Sequence, residues 1–269
     1  MQNKSKLISI VTAASLVGII FTALRVALIF LSLDFNSLIY ENRGAAVALY
    51  AGFTLFILIL YLVLSKASND MSPVLTDSKF SKAIFLIISL LFLALFINIS
   101  TVYSSRDAAY VLPIEKITLA IAVPTLFLSF IYYVCRFFSK SSHGTALSLL
   151  SMFPVLSLTV LVIKEFAKVS ASALLLHYYI DVFSLALLAL FILSEARSNT
   201  KKTTEGLFPS LFIAFISLVF SFIPDCICKN IGRISFSSTS LILLFIKLVF
   251  LVYTATKTLS FIKNCGAEK

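Results

Sequence analysis

His177, Asp181 and Ser184 follow one another at intervals of four and three in "LLLHYYIDVFSL" (174–185), a stretch otherwise apolar enough to cross a bilayer. On an α-helix that spacing puts all three on one face, in a row about 5–6 Å apart. The residue types are those of a serine hydrolase. Nucleophilic catalysis, however, needs a serine, a histidine and a carboxylate that converge, usually from separate segments. A single straight helix cannot converge them, and the signatures HExxH and GxSxG are missing. The pattern fits a polar wall better than a catalytic centre.

Arg25 and Lys247 raise the same question in other apolar runs. Arg25 lies seven residues after Gly18 and three after Thr22, on the face that also carries Ala14. Small residues four apart let helix backbones approach closely; if this stripe packs inward it takes Arg25 with it, the alternative being that Arg25 snorkels to the outer surface from a long, tilted helix. Gly44, Ala48 and Gly52 form a second such series. Lys247 sits in the middle of "SSTSLILLFIKLVFLVYTATK", with Ser240 and Thr254 seven residues to either side. A lysine at that depth costs about 2.5–3.5 kcal/mol on insertion scales, so a partner or a wet cavity is expected.

Depth connects these residues. At 1.5 Å per residue, Asp181, Arg25 and Lys247 lie about 12–14 Å below one membrane boundary, and Asn98 and His177 about 6–8 Å. Arg25, Asn98, His177, Asp181 and Lys247 thus fall in the outer half of the bilayer. The other half is expected to hold serines and tyrosines but no comparable charge. Two readings stand open. Asp181 could pair with Arg25 or Lys247 and staple helices together, since buried charges are normally paired. Alternatively, the helices could line an outward-facing cavity. Two cations against one carboxylate would leave that cavity net positive and suited to a small anionic or zwitterionic ligand. His177 would add pH dependence there.

The elements that must carry these side chains follow from composition. Of 269 residues, 60% are hydrophobic and 13% charged, against about 45–50% and 25% in soluble domains. The bilayer is therefore the expected solvent. A formal charge of +10 does not point to nucleic acid, because the basic residues are scattered through short loops. A span needs roughly 20 apolar residues. Eight stretches meet or approach this: about 7–33, 45–65, 83–103, 114–136, 145–163, 173–194, 207–224 and 238–258. The fold class expected is all-α, a single integral membrane domain over 1–269 with no soluble module. The first apolar run is too long for a signal-peptide core of about 7–15 residues and reads as a retained span.

With an even number of spans, thirteen basic residues fall in inner segments and seven in outer ones. The positive-inside rule then places both termini in the cytoplasm. Tryptophan is absent, so Tyr40, Tyr103, Tyr110, Tyr132 and Tyr133 are expected to supply the interfacial belt. Four cysteines and two histidines show no metal or redox spacing, and no cofactor or metal is expected. A lysine-rich, all-membrane chain of this kind suits a bacterial plasma membrane. Its first functional class is a small permease-like transporter or ligand-binding protein. The second is an accessory subunit packed against another membrane protein. An intramembrane enzyme comes third, because no catalytic motif supports it.

Overall fold

The computed structural model describes residues 2–34, 39–68, 79–104, 113–139, 145–170, 176–201, 206–230 and 238–264. The first apolar run forms α1 (Gln2–Ser32), which ends in a two-residue strand, β1 (Leu33–Asp34). That strand pairs antiparallel with β2 (Ile39–Tyr40), Leu33 facing Tyr40 and Asp34 facing Ile39. Asn42 then opens α2 (Arg43–Ser68): its Oδ1 accepts from the backbone N–H of Ala45 at 3.1 Å, occupying one of the donors a helix start leaves bare. The chain continues as α3 (Lys79–Ser104), α4 (Pro113–Phe138), a short α5 (Thr145–Leu150), α6 (Met152–Ser170), α7 (Leu176–Lys201), α8 (Leu207–Asn230) and α9 (Ser238–Asn264).

Among the described residues, eight segments are long and apolar enough to cross a membrane, compatible with a multi-pass membrane protein. At 1.5 Å per residue, a 26-residue helix such as α2 rises about 39 Å, more than the roughly 30 Å of hydrocarbon in a bilayer. The fifth segment carries a single turn residue, Ser151, between α5 and α6. Pro154 has no N–H to return to the carbonyl of Leu150, so one bond of the ladder is missing. The Ser151 N–H still donates to the carbonyl of Leu147 at 3.0 Å, and its hydroxyl donates to that of Ser148 at 2.6 Å.

Packing gives the bundle a simple plan. In turn, α3 packs on α4, α4 on α6, α6 on α7, α7 on α8, α8 on α9, and α9 back on α3. These six helices close a ring. α1 and α2 pack on each other and both lean on α8, which is consequently the most enclosed: 78% of its most apolar stretch is buried, against 28% for α1 and α2. The outward faces of α1 and α2 expose Leu16, Ile19, Ile20, Leu24, Leu55, Leu58 and Leu62, an apolar surface too large for water. Gly206, at φ 73°, takes the left-handed backbone that glycine tolerates and turns the chain into α8.

Three expectations need correction. Gly44 and Ala48 are exposed, because α2 packs through Ala46, Tyr50, Phe53, Ile57, Leu60 and Leu64. Mostly bulky aromatic and aliphatic side chains form that seam, and of the series Gly44, Ala48 and Gly52, Gly52 approaches Phe21 of α1. Tyr40, Tyr132 and Tyr133 are not an interfacial belt. They are buried, Tyr40 sharing a 2.7 Å hydrogen bond with Tyr50, and Tyr133 stacking on Phe92. Tyr110 and the side chain of Tyr103 lie outside the described residues. Finally, α8 does not stop at Pro224 but runs through it to Asn230, and this extension shapes the site.

Candidate charge network in the bundle

Pro224 sits inside α8 and cannot donate to the carbonyl of Phe220, four residues earlier. Such a freed carbonyl is tolerated in a membrane helix only when a neighbour satisfies it. Arg25 is that neighbour. Its Nη1 donates to the Phe220 carbonyl oxygen at 2.6 Å and, more loosely, to that of Ser221 at 3.4 Å. The reach is short because α1 and α8 touch at Gly18: a Cβ there would lie 3.0 Å from Cγ2 of Ile216. Ala14, Thr22 and Arg25 are all buried on this face, Arg25 completely. Its guanidinium also lies 5.3 Å from the centre of the Phe220 ring and 6.0 Å from that of Tyr50.

One residue past the proline, Asp225 faces two cations. Its Oδ1 is 3.5 Å from Nη2 of Arg25, and its Oδ2 accepts from Nζ of Lys247 at 2.9 Å. Lys247, on α9, also donates to Oδ1 of Asp181 at 2.7 Å and to Oγ of Ser221 at 2.9 Å. An ammonium has three N–H donors, so all three are used. Ser221 passes the interaction on by donating to Oδ1 of Asp181 at 2.9 Å. Other α8 serines, Ser210 and Ser217, return their protons to backbone carbonyls three residues back. Ser221 is the exception because charged partners stand opposite it.

Among the described residues, the result is one network of two cations and two carboxylates drawn from α1, α7, α8 and α9. Its formal charge is zero with all four ionised. Arg25, Lys247 and Asp225 are buried, while the Asp181 side chain retains 21% exposure. Burying charges in this way costs desolvation energy that only close pairing offsets.

No protein-family model, curated protein or solved structure matches the chain.

Of the residues singled out by sequence, Arg25, Asp181 and Lys247 meet in this network. Asn98 is half-buried on α3, and no hydrogen bond among the described residues joins it to the four charges. His177 lies on α7, but its side chain is outside the described residues, as is that of Ser240. Ser184 donates to the backbone carbonyl of Asp181 and Thr254 to that of Phe250, so both satisfy themselves within their own helices. Asp225 and Ser221 were missed. With Asp225 included, the excess of positive charge expected of the cluster is replaced by balance.

The expectation of one charged half is also overturned. Arg136 on α4 and Glu195 on α7 form a buried ion pair at 2.9 Å. Tyr132 accepts from Arg136 at 2.9 Å, and the Tyr253 hydroxyl donates to Glu195. The guanidinium lies 4.4 Å from the centre of the Phe85 ring on α3, and Lys257, also buried, approaches the ring of Tyr253. Fourteen residues separate Asp181 from Glu195 on α7, about 21 Å along the axis. Arg136 and Lys257 fall at the very ends of the apolar runs 114–136 and 238–258, and Glu195 one residue past the run 173–194, whereas the helices run longer.

Proposed function

We propose that the chain is a small permease-like transport protein of the plasma membrane, handling small anionic or zwitterionic solutes. Arg25, Asp181, Asp225 and Lys247 form its solute site. The observation that supports this most is the joining of four ionised side chains, from four helices, inside an apolar bundle. Apolar side chains of similar volume hold helices together at least as well as a buried ion pair. Charges inside membrane bundles more often mark solute or ion pathways. The packing plan suits such a role. α1 and α2 rest on α8, outside the six-helix ring, and Arg25 clasps α1 to the ring at Pro224 and Asp225. Rocking α1 and α2 about the Gly18–Ile216 contact would part Arg25 from Asp225 and admit solute between them.

Orientation enters on the same footing. Moving Arg136 and Lys257 from the inner loops into the bundle reduces thirteen inner basic residues to eleven, against seven outer ones. The bias still favours cytoplasmic termini and a bacterial plasma membrane.

The charge balance and burial of the network favour a second reading, an accessory subunit in which the network is a staple between helices. Reconstitution separates the two. The double variant Asp181→Asn with Lys247→Met removes one charge of each sign and leaves Arg25 paired with Asp225. In proteoliposomes, the wild-type protein is expected to exchange labelled amino acids or small carboxylates across the membrane. The double variant should fold yet lose at least about tenfold of that flux. If both proteins are silent the transport reading is removed; if both are equally active, the network is not the solute site.

A further inference from the structure

We propose that the side-on edge of the Arg25 guanidinium, its Nε and Nη2, receives the carboxylate of a zwitterionic ligand of the α-amino acid type. This rests on the reading of the network as a solute site and narrows it. Arg25 is completely buried, and its two ends are treated differently. Nη1 is anchored on the carbonyls of Phe220 and Ser221. Nε and Nη2 make no hydrogen bond among the described residues. The nearest anionic oxygen, Oδ1 of Asp225, stands 3.5 Å from Nη2, an ion-pair separation beyond a good hydrogen bond.

Those two N–H groups point the same way and form a rigid fork. That fork matches the two oxygens of a carboxylate, which a lysine ammonium cannot do. The anchor fixes where the fork points. Pro224 frees the Phe220 carbonyl, the carbonyl holds Nη1, and the planar guanidinium then has its other edge set by geometry. Buried donors left unused on a charged group are costly, so an acceptor is expected there.

Charge decides which acceptor. Among the described residues the charges of the network balance, Arg25 and Lys247 against Asp181 and Asp225. A simple anion would leave one uncompensated negative charge inside an apolar bundle, which is strongly unfavourable. A zwitterion adds none. Its carboxylate would take the fork, and its ammonium would lie among oxygens of Asp225 and Asp181 that now attract Arg25 and Lys247. A cationic amine without a carboxylate would fail at the fork.

The test uses the full chain, purified in detergent micelles, and thermal unfolding with each common L-α-amino acid in millimolar excess. At least one is expected to raise the melting temperature. Its methyl ester, lacking the carboxylate charge, and its N-acetyl derivative, lacking the ammonium, should not. Arg25→Lys keeps the positive charge opposite Asp225 but removes the fork, and affinity for that amino acid should fall at least about tenfold. Should Arg25→Lys not fold, Pro224→Ala provides the second arm. It restores an N–H to the Phe220 carbonyl, competes with Nη1 for it, and should weaken binding severalfold with every charge retained. The proposal is overturned if no amino acid stabilises the wild type, if the ester or the N-acetyl derivative binds as well, or if the folded variant keeps full affinity. Binding without flux in proteoliposomes would remove the transport reading and leave this inference standing. Flux of solutes lacking a carboxylate, unchanged by Arg25→Lys, would do the reverse.

Discussion

Replacing Lys247 with methionine is expected to cost about 3–5 kcal/mol of folding stability, the range for breaking a buried ion pair from one side. The size follows from what is left behind. Asp181 and Asp225 both direct a carboxylate oxygen at Nζ of Lys247, at 2.7 and 2.9 Å. Removal of the ammonium leaves two anions close together and takes away the cation that both of them hold. Methionine fills most of the vacated volume, so the loss reports charge rather than packing. Adding Asp181→Asn to Lys247→Met removes one anion and should recover most of the loss, because the remaining Arg25–Asp225 pair is neutral. Equilibrium unfolding in mixed micelles measures both variants. A Lys247→Met protein as stable as wild type would mean that the ammonium is not the partner of these carboxylates.

Glu195→Leu should produce the second large effect, again about 3–5 kcal/mol. It takes the carboxylate from Arg136 in the buried layer formed with Tyr132, Phe85 and Tyr253. The Phe85 ring, 4.4 Å from the guanidinium, offers a cation–π contact worth at most about 2 kcal/mol, too little to replace a carboxylate at 2.9 Å. Here the double variant should behave differently. Arg136→Met with Glu195→Leu replaces the pair by apolar groups and is expected to be neutral or more stable than wild type, with solute flux retained. The double variant of the Asp181–Lys247 pair should fold and lose flux. The contrast distinguishes a pair that holds helices from a network that handles solute. The same measurements on each double variant, stability and flux side by side, read it out.

The sequence made some of this legible and hid the rest for identifiable reasons. Apolar runs announce spanning helices, because nothing else can carry twenty such residues. Arg25 could be assigned to an inward face from its distance to Gly18 and Thr22, a local periodicity. Lys247 and Asp181 were conspicuous as charges in mid-span. Asp225 is not, because it follows Pro224, where the apolar run 207–224 ends. Yet the next residues, Cys226, Ile227 and Cys228, are apolar enough to continue a span. The physical reason the helix survives is an arginine almost two hundred residues earlier, and no local pattern encodes that contact. Arg136, Glu195 and Lys257 were hidden differently. They lie at the ends of the apolar runs, where a charge looks like a border residue, and their burial between the longer α4, α7 and α9 shows them inside the bundle. The small-residue series on α2 misled, since spacing alone does not say which face packs.

Ser221 stands at the centre of the network, fully buried between Lys247 and Asp181, and a thiol placed there tests most directly whether the network is a solute site or a sealed staple. Ser221→Cys, in a chain whose native Cys135, Cys226, Cys228 and Cys265 are replaced by alanine, is to be reconstituted in sealed vesicles. It is then exposed to a small, membrane-impermeant, cationic thiol reagent. The expected result is modification of the folded protein, slowed by the amino acid that stabilises it. A thiol that stays unmodified from both sides until the protein is unfolded would contradict the solute site and leave the network as a staple.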